Sequence, residues 1–430
     1  MKQKKGLVIS WFYPPGNSSE GLVTYKLLRA SGYQYDVFTR SNQNANVWDR
    51  DVVEKNLEAD NVNIIGAKST EEEDWIKEAV AYYGEHKDEY DFVMTRIMPV
   101  AAHEVGLRIK AKFPEVKWIA SYGDPISNTP CIPHRSKEEN PLFLSNIRKN
   151  GGRKQALRAS LSPLRPARAM VWELRRRGEF NYSEDLIKLN DKVVKEADVV
   201  ILNNPYERGS VFSGENRKYR GKSTIIKHSF EPSLYEDAEK EDDKLHFVYT
   251  GHLDDRRNAT GLMHAIARLK KHDPNLADKV VFDFYGHVGN CDKAAILDGE
   301  IYDIVRLHDD IEYAQSLKEM RRSDWLVLID MNLAQEIDEY IYFPAKLADY
   351  LGAGRKILAI TQVNGATADI VRETNSGVIS THSDEDIYLH LASIIAGKYD
   401  DIKPNQRKVN SYSSAEVAKK LDAVIDKLLA

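Results

Sequence analysis

The sequence predicts an α/β protein of two doubly wound domains with a cleft between them, and three observations carry that prediction. Short apolar, β-branched runs such as "GLVISWF", "YDFVMTR", "HFVYTG" and "WLVLID" alternate with amphipathic stretches such as "EEDWIKEAVAYYGEHK" and "ATGLMHAIARLKKH". Continuously apolar strands separated by helices mean parallel sheets covered on both faces. The chain has 430 residues, more than one compact core usually holds. The two halves also open alike, with "GLVISWFYPPGNSSEGLVTYKLL" and "HFVYTGHLDDRRNATGLMHAIARL" each giving a strand, a glycine-containing loop and a helix.

In chain order, the first half offers strands at "GLVISWF", "YDVFTR", "NVNIIGA", "YDFVMTR", "KWIASYG", "DVVILNN" and "STIIKHS". The second offers "HFVYTG", "VVFDFYG", "IVRLHD", "WLVLID", "KILAIT" and "GVIST". The acidic stretch "EPSLYEDAEKEDDK" (231–244) divides the series and reads as a linker. The expected units are a Rossmann-like domain over 1–235 and a second over 245–410. A terminal helix over 411–430, opened by serine, is free to pack back on either. Neither glycine loop spells GxGxxG, so a dehydrogenase reading loses its main support. Ligands of such domains bind at the carboxyl ends of the strands, which places the chemistry in the cleft.

Hydrophobic residues at 42% and charged residues at 30% describe an ordinary globular protein. The net charge of -5 argues against nucleic acid as a partner. Cys131 and Cys291 have no metal-ligand spacing and fit a reducing compartment. The basic start "MKQKK" runs directly into a strand pattern, and no apolar run approaches a membrane span, so a cytoplasmic protein is expected. An insertion over 138–182 breaks the alternation. Within it, residues 147–178 carry ten Arg or Lys against one acid, Glu173. This reads either as a solvated basic surface or as an electrostatic foot on an anionic membrane, with Met170, Trp172 and Leu174 as apolar contacts. The second alternative places the protein at the inner face of the plasma membrane.

Gly251 ends a predicted strand, and Arg256 and Arg257 lie in the loop before a helix expected from Asn258. A helix N-terminus beside two guanidiniums is suited to a diphosphate, the alternative being ion pairs with Asp254 or Asp255. In "FPAKLADYLGAGRKILAIT", Pro344 opens another helix. Its Lys346 and Asp349 share a face, while Leu347 and Leu351 point to the core.

These pieces resemble the family 4 glycosyltransferases, which have the GT-B architecture. Gly251, His252 and the two arginines are similar to the start of that family's nucleotide-binding domain, and "IEYAQSLKEMRRSDWLVLID", "FPAKLADYLGAGRKILAIT" and "ATADIVRETNSGVIS" are similar to the tracts that follow. A weaker likeness covers "VISWFYPP", "YDFVMTRIMPVAAHEVGL" and "WIASYGDP". The resemblance implies transfer of a sugar, of hexosyl type, from a nucleotide-diphosphate donor, UDP or GDP, to a glycan or lipid-linked saccharide in cell-surface polysaccharide or glycoconjugate synthesis. Anomeric configuration is retained and no resident cofactor is used. It implies donor contacts at Gly251, Arg256, Arg257, Ala345, Lys346 and Asp349. Asp349 falls on the second, ribose-binding glutamate of an E-x7-E pattern, while Ile341 occupies the place of the first, with Glu339 or Glu336 as substitutes.

Catalytic candidates are Arg256 and Arg257 on the departing diphosphate, and Asp124 and His103 at the first-domain side. Glu20 and Gly21 are the acceptor-side candidates. "DRD" at Asp49–Asp51 lies among charged residues and reads as surface, with no metal expected. Two alternatives remain: a nucleotide-sugar epimerase, and a non-catalytic partner subunit of the same architecture.

Overall fold

The structure is a computed structural model that describes residues 4–14, 18–40, 60–126, 184–240, 242–254, 256–334 and 337–430. Every predicted strand forms. The first seven, β1 (Lys5–Ser10), β2 (Gln34–Arg40), β3 (Val62–Ala67), β4 (Phe92–Arg96), β5 (Trp118–Ser121), β6 (Val199–Leu202) and β7 (Ser223–Ile225), make one sheet in the order β3-β2-β1-β4-β5-β6-β7. The next six, β8 (Leu245–Thr250), β9 (Val280–Tyr285), β10 (Val305–His308), β11 (Trp325–Ile329), β12 (Lys356–Ile360) and β13 (Gly377–Ser380), make a second in the order β10-β9-β8-β11-β12-β13. All these pairings are parallel. Helices cover both faces, so β4, β5 and β11 are buried along their whole length, as their unbroken apolar sequences require.

Each sheet reverses direction beside its first strand, between β1 and β4 and between β8 and β11. Those switch points leave a crevice at the carboxyl ends of the strands. The helix Ser19–Arg29, capped by the Ser18 side chain on the Glu20 N–H, leaves the first crevice. It is buried from Gly21 to Leu28 because three neighbours enclose it. Leu22 packs into the second domain's cluster with Leu347, Leu351 and Tyr313. Leu27 and Leu28 share the first domain's cluster with Val417, Leu421 and Ile425 of the terminal helix Ser414–Leu429.

That terminal helix returns to the first domain, as the sequence allowed. Asp422 accepts hydrogen bonds from the Ser31 hydroxyl and the Gly32 N–H, and Tyr33 donates to Asp426. No helix among the described residues is long and apolar enough to cross a membrane. The basic tract 147–178 and Asp49–Asp51 lie outside the described residues.

Candidate donor cleft between the domains

A cavity of about 1050 Å³ lies between the two sheets. Its wall comes from strand ends on both sides: Glu20 and Lys26 after β1, Asp124 after β5, Gly251 and Arg257 after β8, and Ala345, Lys346 and Asp349 after β11. The topology thus brings together most residues singled out from the sequence.

The helix Ala345–Ala353 starts after Pro344, whose backbone is extended, so the N–H groups of Ala345 and Lys346 have no intrahelical acceptor. Both residues line the cavity, a disposition suited to an anion. Lys346 turns back and donates to the carbonyl oxygen of Thr250 at 2.7 Å and to the Tyr249 hydroxyl at 3.1 Å. Burial first, then the Arg257 charge, push its ammonium down to about 7, with Asp330 opposing. Leu347 and Leu351 are buried in the core as expected.

The other helix start behaves differently from its prediction. The helix begins at Thr260, and the carboxylate of Asp292 already accepts from the Ala259 N–H at 3.0 Å and from the Thr260 hydroxyl at 2.7 Å. A resident carboxylate thus already takes the first N–H of that helix start. Asp254 Oδ1 accepts the backbone N–H groups of Arg256 and Arg257, each at 2.8 Å, and both arginine charges help hold its carboxyl low. This turn lets the two arginines diverge: Arg256 is exposed and off the cavity wall, whereas Arg257 lines it, with its Nε buried and unpartnered. His252 reaches Asp310 across the cavity mouth at 2.6 Å.

On the first-domain wall, Arg96 holds the Glu20 carboxylate at 3.1 Å and also donates to the Ser121 hydroxyl and the Tyr122 carbonyl. Asp124 is half-buried beside them. Burial, then the Glu20 charge, push its carboxyl up to about 7 against Arg96 and Arg257. Gly21 packs against the backbone of Tyr13, where an added Cβ would come within 3.3 Å, and does not line the cavity. His103 is fully buried behind this wall, with Nδ1 2.8 Å from the Thr95 hydroxyl. Burial and Arg96 push its imidazole down to about 3. The structure therefore places His103 in the core, apart from the cavity.

Glu339 is exposed and does not line the cavity; Glu336 lies outside the described residues. The chain is pinned at Tyr340, whose N–H and carbonyl bond Asn364 and Ala366, so Glu339 faces outward. Ile341 turns its carbonyl to the Asn204 side chain at 2.8 Å, a contact that joins the two domains.

Three functional-looking side chains escaped the sequence reading. Lys26 is buried against Asp349 at 2.8 Å; its position one helical turn after Leu22, on an apolar stripe, was the available signal. Glu207 is buried, accepts the Asn203 N–H at 2.7 Å, and is pushed well up chiefly by burial. The run Asn204-Pro205-Tyr206-Glu207, a cap followed three residues later by glutamate, announced it. The Asn203 side chain in turn donates to the Gly123 carbonyl and so positions the loop bearing Asp124. Asp330, at the end of "WLVLID", accepts from the Thr361 hydroxyl at 2.7 Å and is buried near Arg257. Among the described residues no group of His, Cys, Asp or Glu is arranged to hold a metal ion.

The arrangement defines the GT-B fold, two parallel-sheet α/β domains opposed across a cleft. The chain is similar over 99% of its length, and 99% of theirs, to sucrose-phosphate synthase from Thermosynechococcus elongatus (13% identity, TM-score 0.66) and to the trehalose-6-phosphate synthase OtsA (9% identity, TM-score 0.62). It is also similar to a UDP-N-acetylglucosamine 2-epimerase (10% identity, TM-score 0.51), covering 98% of this chain and 95% of that one. No protein-family model and no curated protein sequence matches the chain.

Proposed function

We propose that the chain is a glycosyltransferase that takes a sugar from a nucleotide-diphosphate donor, with the donor held by the second domain and the acceptor entering from the first. The observation that carries this reading is the convergence on one cavity of Ala345 and Lys346 at a helix start, Arg257 and Asp349. A diphosphate on the helix start meets two N–H donors and two side-chain cations. One turn along, about 5.4 Å, a carboxylate is placed to accept ribose hydroxyls. Arg256, exposed, contributes at most long-range charge.

In this reading Arg257 and the helix start stabilise charge on the departing diphosphate, which is the main demand of a retaining transfer. Asp124 faces the reacting end from the other wall and orients the acceptor hydroxyl, with Glu20 held beside it by Arg96. His103 supports the wall from behind. The donor nucleotide is UDP or GDP, and the acceptor a glycan or lipid-linked saccharide. No observation on the described residues supports membrane contact.

The likeness to an epimerase favours a second reading in which the donor itself is altered without an acceptor. One experiment separates the two. The protein is incubated with UDP-, GDP- and ADP-sugars, and nucleotide release and sugar isomerisation are followed. Slow release of nucleoside diphosphate supports the transferase; an altered nucleotide sugar supports the epimerase. Neither product, with no thermal shift at saturating nucleotide, removes both.

A further inference from the structure

Lys26 and Asp349 come from different domains and meet in the cavity wall. Lys26 Nζ lies 2.8 Å from Asp349 Oδ1, and the Tyr313 hydroxyl donates to the same oxygen at 2.8 Å. Lys26 also donates to that hydroxyl at 3.3 Å. The lysine side chain is 1% exposed and the aspartate 8%. A carboxylate oxygen offers two lone pairs, so Oδ1 is fully used by this contact, whereas Oδ2 takes no part in it. A carboxylate buried here without a partner would be strongly destabilising, which is reason enough for the ammonium to close on it.

The same carboxylate stands one helical turn beyond the Ala345 and Lys346 N–H groups, where the donor's ribose falls in the function proposed above. We propose that Lys26 is an intramolecular competitor for the ribose site. Its ammonium holds Asp349 Oδ1 and must yield it before both carboxylate oxygens can take the two ribose hydroxyls. The inference rests on the donor reading and adds a residue that sets donor affinity from the opposite domain. Only the fraction of molecules with Asp349 released binds nucleotide fully, so the apparent affinity is lowered by that fraction.

The test is calorimetric titration of UDP, GDP and ADP into the full chain and into Lys26→Met, Asp349→Asn and the double variant. Lys26→Met is expected to bind the preferred nucleotide about tenfold more tightly than the wild type. The double variant is expected to match Asp349→Asn within about twofold, because Lys26 has nothing to compete for once the carboxylate is neutral. Unchanged or weaker binding by Lys26→Met overturns the proposal. So does a double variant clearly weaker than Asp349→Asn, since Lys26 would then contact the nucleotide itself. Should Lys26→Met fail to fold, Lys26→Gln, whose neutral amide can still donate to Oδ1, takes its place: tighter nucleotide binding than the wild type supports the competitor, and unchanged or weaker binding overturns it. Binding seen in Lys26→Met but not in the wild type supports the competitor. Wild-type binding that Lys26→Met does not improve refutes the competitor and leaves the donor reading standing; binding to neither removes the donor reading and the competitor with it.

Discussion

Lys346 donates to the carbonyl oxygen of Thr250 at 2.7 Å, tying the helix that opens the donor cleft to the end of β8. The contact holds its ammonium over the Tyr249 ring, 4.2 Å from the centroid, in a site dry enough to bring the group down to about 7. At neutral pH the free protein therefore carries Lys346 partly uncharged. A bound diphosphate favours the ammonium, so binding takes up a proton and tightens as pH falls from about 8 to about 6. Calorimetry in buffers of different ionisation enthalpy measures that uptake directly. Lys346→Arg, which stays charged throughout, should abolish it; equal uptake in the variant would assign the proton elsewhere.

Gly251 makes this contact possible. Its φ of +120° suits glycine alone, and a Cβ there would lie 2.6 Å from Lys346 Nζ. Gly251→Ala is expected to lower stability by about 1–3 kcal/mol through backbone strain and to weaken nucleotide binding by moving the lysine. Urea unfolding and a nucleotide titration check both parts. A variant that loses stability yet binds normally would show that Lys346 does not need this position.

Arg257 and Arg256 are adjacent in sequence and separated in space. Arg257→Ala is expected to reduce turnover by roughly 10²–10³ without unfolding, as loss of a preorganised donor to a leaving oxyanion does elsewhere. Arg256→Ala, on the solvent side of the Asp254 turn, should change turnover less than about threefold. Parallel steady-state assays with the donor found by screening settle the assignment, and equal losses in the two variants would defeat it.

Asp124 offers a test that separates function from folding. Its carboxyl sits near 7 against an ordinary value of 3.8, so the folded state holds this proton more tightly than the unfolded one. Stability is then lost as pH rises between those values and stays lower above them. Asp124→Asn should consequently raise the melting temperature at pH 8 by about 2–4 °C while lowering turnover sharply. A variant that is both less stable and less active would point to a structural role for the carboxylate.

The contrast between these residues shows what the sequence carried. Strands such as β4 and β11 were legible because burial on both faces leaves no polar position to confuse the pattern. Lys346 and Asp349 were legible because a proline-opened helix fixes their spacing locally. Lys26 was not, since its partner lies 323 residues away and only the closing of two domains brings them together. The same holds for Asp292, which fills the helix start at Ala259 from 33 residues downstream. Glu339 shows the converse error. Proximity along the chain suggested it, but the backbone pairing at Tyr340 decides which way the loop faces.

A last prediction concerns a cluster across β8, β9 and β10 of the second sheet. Asp283 on β9 is buried between two histidines, with His308 Nε2 at 2.7 Å and His246 Nδ1 at 3.8 Å. His246 also reaches Asp242 at 2.7 Å. The nearby Asp283 carboxylate is the main influence raising its pKa above the ordinary 6.5, with burial opposing and the hydrogen-bonded Asp242 assisting. A histidine raised in the folded state contributes stability fully below its ordinary pKa and loses it as pH climbs through the raised one. The urea midpoint should therefore fall between about pH 6 and pH 8, and His246→Gln should flatten part of that fall while lowering the midpoint mainly at pH 6. If the variant retained the whole slope, the proton that stabilises the fold at pH 6 would have to sit on another group.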